Sequence, residues 1–530
     1  MIIHNITGYT IYGESLRTFT AMAFENGKVL EIGDFESLSA KYPEAEQYDG
    51  ENRILLPGLI DAHGHVLGLG YSKIDVDLTE TKSLSEALEK VADCNQKSIN
   101  AEWIRGRGWN QERWREGRFP TAQDLDEIAP DHPVWLLRVD NHAGWANSKA
   151  LEIAGITKNT NDPDSGKIVR DKDGNPSGLL IDRAMDIMEQ VVPDRTIQEN
   201  ERALKKALER LREFGLTSVG DAGITAPIFD LYKKFVDEDK MSCRIYAMIL
   251  MDHPDFEVLS EKGPVTSYGD DRLSLQSVKI FTDGALGSRG AAMIKPYSDD
   301  PDSRGLLFYS QDKLNKMVEK AISKGFQVNI HAIGDRANHQ VLDAFQQAEK
   351  KFGVRGLRHR VEHAQIVAPK DIPRFKSLHL IASMQPTHAT SDLNMAEDRI
   401  GRERMQAAYA WQTFCRQGTV MAGGSDFPVE SANPFYGLYA AVTRQDLSGY
   451  PEGGWYPDEK MTRLQAFKAF TVNAAFAQHQ EQMIGSLEPG KWADFILVDK
   501  DYFKIPENEI WKIKVLETWI SGKRVFSKRN

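Results

Sequence analysis

The sequence has little of what marks several specialised classes of protein. Its 530 residues contain 3 cysteines, which lie far apart and form no Cys-x-x-Cys pair. This spacing excludes a cysteine-rich zinc module and offers no disulfide framework. No apolar stretch is as long as a membrane-spanning helix, so we expect no membrane partner. Basic runs are also lacking, and the net charge of −11 argues against nucleic acid as a partner.

The start of the chain and the usual symmetry of soluble proteins bear on the compartment and the oligomeric state. Residues Met1–Asn5 lack the charged and apolar regions of a signal peptide, which favours a cytoplasmic protein. A periplasmic or secreted protein whose signal peptide had been removed would show the same start. A homodimer is the default expectation for a soluble oligomer.

The chain is too long for one hydrophobic core, and its pattern predicts several domains. Residues 1–56 and 484–530 are rich in short strand-like runs, which predicts one small β-sandwich domain built from both termini. Residues 196–483 alternate apolar strands with amphipathic helices, and the strand in 57–70 brings the strand count to eight. Eight such repeats predict an α/β fold, a (β/α)₈ TIM barrel. A doubly wound open sheet is the alternative.

The remaining interval, 71–195, is too long for a single connection between two elements. It is dense in tryptophan and arginine. We predict an insertion domain that follows barrel strand 1 and covers the barrel mouth. Its tryptophans have a simpler interpretation as the domain's own hydrophobic core.

A short stretch, PGLIDAHGH at 57–65, contains the first indication of chemistry. Alternate side chains of a strand point the same way, so His63 and His65 would project together from one strand end. Two imidazoles with a glycine between them make half of a metal site. A chance His-x-His pair is the competing interpretation.

The ends of the other barrel strands test this idea, because a (β/α)₈ barrel places its chemistry there. Strand 4 contains Lys279 in an apolar run, strands 5 and 6 end in His331 and His363, and strand 8 ends in Asp426 after two glycines. Each residue alone could be structural. Their occurrence at separate strand ends predicts metal-ligand chemistry.

These motifs resemble the amidohydrolase superfamily, and specifically its amidohydrolase-3 branch, which includes proteins similar to N-substituted formamide deformylase. The resemblance spans the middle of the chain and its return to the terminal β domain. The stretches that carry it are PGLIDAHGH (57–65), NHAGWANSKAL (141–151), VKIFTDGALGSRGAA (278–292), NIHAIGDRA (329–337), RVEHAQ (360–365), SMQPTHATSD (383–392), GSDFPVE (424–430) and GSLEPGKWADFILVD (485–499).

The resemblance implies two divalent metal ions, usually Zn²⁺. One would be held by His63, His65 and Asp426, and the other by His331 and His363, with Lys279 as a bridge after carboxylation by CO₂. The bridge is chemically reasonable, because burial and two nearby dications disfavour a protonated lysine. A neutral amine can take up CO₂ and become an anionic carbamate with two oxygen ligands.

The implied reaction is hydrolysis of a C–N bond in an amide or N-acyl amine, a small-molecule substrate. Asp426 would take a proton from the attacking hydroxide and pass it to the departing nitrogen. His388 is a candidate hydrogen-bond donor to the oxyanion. His142 and Arg289 are candidate substrate-binding residues. In the loop after strand 4, the chain has Gly290 where the family often has threonine. This difference weakens any substrate assignment that is based on the loop.

Three other functions remain open from the sequence. A mononuclear deaminase on the same scaffold usually carries a glutamate three residues after the strand-5 histidine, whereas this chain has Gly334 there. Hydrolysis of an ester or a lactone is chemically similar to amide hydrolysis and is a second alternative. A non-catalytic regulatory or binding protein would be expected to lose metal ligands, and all six positions are filled here.

Overall fold

The computed structural model describes residues 1–79, 81–97, 103–139, 143–163 and 166–528. The chain divides into two compact units. The first consists of Met1–Val66 and Leu208–Asn530, and the second of Leu67–Ala207.

The larger unit contains a barrel of eight parallel strands that follow one another in chain order. Barrel strands 1 to 8 are Leu59–Gly64, Leu216–Ile224, Arg244–Leu250, Leu273–Phe281, Gln327–Ala332, Arg360–His363, Ile381–Met384 and Met421–Gly423. The antiparallel strand Val265–Tyr268 pairs with strand 4. Nearly every residue of these strands is buried, which explains their continuous apolar runs.

Backbone hydrogen bonds link the last strand to the first. The N–H of Asp426 donates to the carbonyl oxygen of His63, and the N–H of His65 donates to that of Phe427, each over 2.8 Å. The predicted (β/α)₈ barrel is therefore confirmed, and the open doubly wound sheet is excluded.

The helices of this unit form where the sequence supplies an apolar face and end signals. In Gln311–Ser323, the Ser310 side chain accepts a hydrogen bond from the third residue of the helix, and Gly325 follows the end with φ +85°. Both features satisfy backbone groups that a helix terminus leaves unpaired. The other helices are Phe35–Lys41, Ala226–Asp237, Asp255–Leu259, Asp335–Phe352, Ile372–Ser377, Pro386–Asp392, Ala396–Met405, Trp411–Arg416, Pro434–Thr443, Arg463–Ala469 and Val472–Ala477, with 3₁₀ turns at Pro457–Glu459 and Glu507–Lys512.

A second sheet of the larger unit is built from both ends of the chain, as the sequence predicts. Its strands are Ile2–Tyr12, Ser15–Phe19, Ala21–Glu25, Lys28–Gly33, Gln47–Pro57, Phe495–Val498, Val515–Ile520 and Lys523–Ser527. The Asn26-Gly27 turn has φ of 50° and 77°, as a tight hairpin requires. Gln47–Pro57 pairs antiparallel with Phe495–Val498, so the two termini share one ladder.

The smaller unit has its own sheet of six strands, in the order Gly166–Arg170, Pro176–Asp182, Ala143–Ala146, Val134–Arg138, Ile104–Trp109 and Val76–Asp77. Its short helices are Leu84–Lys97, Ala122–Asp126, Ser148–Ile153 and Met185–Glu189, with a 3₁₀ turn at Gln111–Arg113. Helices Val66–Tyr71 and Ile197–Glu213 include the points where the chain passes between units. Trp109, Trp114 and Trp145 pack together in its core, so the simpler interpretation of these tryptophans is correct.

Within the described parts of the chain, the search for a helix that is both long enough and apolar enough to cross a membrane finds none.

Candidate metal centre

The carboxyl ends of barrel strands 1 and 8 bring three candidate ligands together. Asp426 Oδ1 lies 3.1 Å from His65 Nε2 and 3.5 Å from His63 Nε2. The ligand atoms of these residues all lie within 4.8 Å of one another. Two imidazoles and one carboxylate in this arrangement suit a divalent metal with nitrogen and oxygen ligands.

The histidines of strands 5 and 6 lie beside this group. The ring centroid of His363 is 4.5 Å from that of His331 and 5.1 Å from that of His63. His363, His388 and Asp426 form a second group whose ligand atoms lie within 4.8 Å. Asp426 is common to both groups, so its carboxylate lies between them.

Lys279 is fully buried in strand 4 and faces the same site. Its Nζ lies 3.1 Å from His63 Nε2 and 4.6 Å from the ring centre of Phe281. Burial is the main cause that lowers the pKa of Lys279 to about 8. A larger fraction of the amine is therefore neutral near pH 7 than for an exposed lysine.

Three other ionisable groups of the site, His63, His363 and Asp426, also have shifted pKa values. Burial lowers the pKa of His63 to about 4 and the pKa of His363 well below its usual range. Burial alone would raise the pKa of Asp426, but the contact with His65 and the neighbouring imidazoles hold it well below the usual value. Neutral imidazoles and an ionised carboxylate are the ligand forms.

Among the described residues, two nitrogens of this group, His331 Nε2 and His388 Nε2, are buried and have no hydrogen-bond partner. Asp283 Oδ1 is 3.4 Å from His331 Nε2, but both oxygens of Asp283 already accept backbone N–H groups. Buried polar atoms in native proteins normally have partners. Unpaired imidazole nitrogens beside an ionised carboxylate are consistent with a metal-binding site.

Sequence reasoning missed Glu362, which contacts His63 from strand 6. His63 Nδ1 lies 2.5 Å from Glu362 Oε2, and Arg360 pairs with Glu362 at 2.7 Å. Neighbouring arginine and the hydrogen bond with His63 outweigh burial and hold the pKa of Glu362 well below its usual range. The carboxylate therefore accepts the Nδ1 proton and leaves Nε2 free to bind a metal. The signal in the sequence that could have identified Glu362 is its charged pair with Arg360, two residues away inside a buried strand.

Other polar side chains hold the ligands in place. Gln385 Oε1 lies 2.8 Å from His363 Nδ1, the same arrangement as Glu362 with His63. Asp61 accepts the backbone N–H of His63 at 3.0 Å and the hydroxyl of Ser425 at 2.6 Å. Asp61 thus links strands 1 and 8 through the backbone, and the carboxylate beside the His63 ring is Glu362.

The roles of both candidate substrate-binding residues stay predictions. Arg289 is paired with Asp299, with its Nη2 at 2.9 Å and its Nε at 3.2 Å from the carboxylate oxygens. Its role toward a substrate stays a prediction. His142 lies outside the described residues, so its role also stays a prediction.

A comparison with protein families identifies the family to which the chain belongs. A family model described as "Amidohydrolase family", the amidohydrolase-3 model, matches residues 46–526. The chain belongs to the amidohydrolase family. The resemblance inferred from the sequence motifs is therefore confirmed, and membership supports a metal-dependent hydrolase.

Curated relatives of this amidohydrolase span nearly its whole length. "Protein LONG AFTER FAR-RED 3" of Arabidopsis thaliana is 34% identical over 98% of this chain and 91% of that protein. "Putative amidohydrolase YtcJ" of Bacillus subtilis is 33% identical over 98% of each chain. The N-substituted formamide deformylase of Arthrobacter pascens is 28% identical over 95% of this chain and 94% of that protein.

A solved structure has a similar fold. An uncharacterized metal-dependent hydrolase from Pyrococcus horikoshii superposes with a TM-score of 0.81 at 29% identity. The match covers 96% of this chain and 98% of that one. The barrel and its additional units are therefore features shared with a metal-dependent hydrolase.

Proposed function

We propose that this amidohydrolase hydrolyses the C–N bond of an amide or N-acyl amine at a binuclear metal centre. The observation that carries the proposal is the convergence of four histidines, Lys279 and Asp426 at the carboxyl end of one barrel. The name of one relative, N-substituted formamide deformylase, supports an N-acyl amine as the substrate class.

The residues divide into two sets of ligands. His63, His65 and Asp426 would hold one divalent ion, and His331 and His363 the other. Carboxylated Lys279 would bridge the two. When bound, the two ions, zinc or another divalent metal, would polarise the carbonyl group and lower the pKa of the nucleophilic water.

Asp426 has the geometry and charge for the proton transfers. Its carboxylate is ionised and lies between the two ligand groups, so it can accept a proton from water as the new C–O bond forms. It then donates that proton to the nitrogen as the C–N bond breaks, so that a neutral amine leaves rather than a strongly basic amide anion. His388 Nε2, 3.7 Å from Asp426 Oδ2, would donate a hydrogen bond to the carbonyl oxygen as negative charge develops.

The backbone at Gly334 argues against a deaminase with a glutamate shuttle at that place. A Cβ atom built on Gly334 would lie 2.0 Å from the carbonyl oxygen of Ala292. The neighbouring atom belongs to the backbone, so a larger side chain requires the loop to move. This position therefore has no room for the proton-carrying glutamate.

The first experiment measures the metal content per chain, on protein purified without chelator or a nickel column. The second is a screen for hydrolysis of N-formyl and N-acyl amines, with matched esters for comparison. We expect about two divalent ions per chain and hydrolysis of the amides. One ion per chain would contradict the binuclear centre. No bound metal after incubation with zinc and bicarbonate would overturn the enzyme proposal, and cleavage of the esters alone would overturn the C–N assignment.

The bridge is tested separately with Lys279→Ala. We expect this variant to lose metal, and short carboxylic acids to restore part of the metal content and activity by supplying the missing oxygens. Unchanged metal content in Lys279→Ala would show that the lysine is not a bridge.

A further inference from the structure

A cavity of about 380 Å³ lies at the amino-terminal end of the barrel. Its wall includes His359, directly before strand 6, Leu380 and Ile381 at the start of strand 7, and Thr419, shortly before strand 8. The candidate metal ligands lie at the carboxyl ends of the same barrel. The cavity is therefore separate from the metal centre.

The wall is mainly aromatic and aliphatic. Phe345 and Phe352 come from one helix, Phe375 from the helix before strand 7, and Phe476 from the helix Val472–Ala477. A volume of about 380 Å³ lies within the range of small-molecule sites, roughly 300–1,000 Å³. The lining suits a hydrocarbon or aromatic body.

His359 provides a polar group in this wall. The backbone N–H of Val328 donates to His359 Nδ1 at 3.0 Å, and the imidazole ring stacks on Phe345 with centroids 5.1 Å apart. Because Nδ1 accepts a hydrogen bond, the proton of the neutral ring is on Nε2. The wall thus includes a neutral imidazole beside the aromatic surface.

The rim has an excess of positive charge. Arg355 and Lys376 line the cavity and are exposed. Within the described residues, neither lies within ion-pair distance of a carboxylate, whereas Arg358 is paired with Glu481 at 2.7 Å. Glu349 is the acidic residue of the wall. The uncompensated guanidinium and ammonium groups favour an anion at the rim.

We infer that this cavity binds an amphipathic monocarboxylate, such as a medium-chain fatty acid. The hydrocarbon chain packs between the phenylalanines, and the carboxylate lies at Arg355 and Lys376. Apolar burial and charge pairing act at opposite ends of one ligand, which matches the division between wall and rim.

The test is calorimetric titration of the full-length protein with decanoate, below its micelle concentration, and with decanol as the neutral counterpart. We expect wild type to bind decanoate more tightly than decanol. The double variant Arg355→Glu with Lys376→Glu weakens decanoate binding about tenfold or more, because two charge-assisted contacts become repulsive, and leaves decanol binding unchanged. Lys350→Glu, exposed on the same helix as Phe345 and outside the wall, is the matched control and keeps wild-type affinity.

A second variant, Ala348→Phe, fills the cavity and should weaken both ligands, with folding checked by thermal melting. If decanoate bound at the metal centre instead, neither the rim variant nor Ala348→Phe would change its affinity, and the inference would be overturned. Equal affinity of wild type for decanol and decanoate would overturn the anionic part of the assignment.

Discussion

Asp426 is the residue on which the proposed chemistry depends most directly. It contacts His65 and lies within reach of His63 and His388. It reaches this position with a left-handed backbone, φ 59°, and His363 does the same with φ 70°. Non-glycine residues rarely adopt this conformation, and those that do cluster at functional sites.

Asp426→Asn should keep the fold and most of the metal while lowering kcat by orders of magnitude. The amide keeps the shape of the side chain but cannot carry the proton from water to the leaving nitrogen. Steady-state kinetics on an N-acyl amine, with metal content measured on the same sample, tests this. A turnover within a few-fold of wild type would refute the proton-carrying role.

Glu362→Gln should lower metal affinity about 10- to 100-fold, because an outer carboxylate fixes the tautomer and orientation of the ligand histidine. The readout is the zinc dissociation constant, measured by competition with a chelator on the folded protein. Asp494→Asn is the control, since it removes a buried carboxylate that pairs with Arg244 at the amino-terminal end of strand 3. Equal zinc affinity in both variants would show that Glu362 is only structural.

At the scale of elements, the sequence predicted the strands well and their cross-barrel contacts poorly. Strand 3, Arg244–Leu250, is one of the strands expected from the alternating pattern of residues 196–483, because its apolar run is continuous. The candidate histidines followed from strand periodicity and from the rule that a barrel places its chemistry at strand ends. The contact between Glu362 and His63 could not be predicted in this way, because it joins strands 1 and 6 and depends on closure of the barrel. Left-handed residues at strand ends also break the alternation on which such reasoning depends.

One buried carboxylate connects the loop after strand 4 to the end of strand 5. Asp283 accepts the N–H of Ile333 on Oδ1 and those of Ala292 and Gly334 on Oδ2. Asp283→Asn would direct an amide group at one set of donors, at a cost of about 1–3 kcal/mol for each buried N–H left unpaired. We expect the amide group to face Ile333, where it leaves one donor unpaired rather than two, and hydrogen exchange to become faster at the amide of residue 333. Exchange as slow as in wild type would contradict this role.

For the molecule as a whole, a buried ion pair joins the barrel to the terminal sheet. Arg244, at the start of strand 3, contacts Asp494 through Nε at 2.7 Å and Nη2 at 3.0 Å, and Asp494 also accepts the N–H of Ser521. Arg244 is 0% exposed. The contact ties the carboxyl-terminal strands to the barrel.

Asp494→Asn should lower the free energy of unfolding by about 3–5 kcal/mol, because the guanidinium stays buried without its counter-charge. Urea denaturation measures this change, with Glu238→Gln as the control, since that carboxylate pairs with Lys240 at an exposed site where ion pairs contribute little. Equal midpoints for the two variants would contradict the prediction.

His359 gives the fold a dependence on pH. Burial lowers the pKa of His359 to about 3 in the folded protein, against about 6.5 when unfolded. Below pH 6.5 the unfolded chain therefore binds more protons, so this group reduces stability as pH falls from 6.5 toward 3, by up to about 1.4 kcal/mol per unit. His359→Gln should show a smaller loss of stability between pH 7 and pH 4.5 than wild type. Parallel pH profiles would contradict this.

The sheet shared by the two termini has a consequence for synthesis on the ribosome. Strand Gln47–Pro57 leads directly into barrel strand 1, Leu59–Gly64, and its antiparallel neighbour is Phe495–Val498. During translation, the early strand emerges hundreds of residues before that neighbour, so one of its edges stays unpaired until the nascent chain is nearly complete. An unpaired strand edge of this kind is prone to association with other chains. Production of this protein therefore depends on protecting the early segment for most of the time that translation takes.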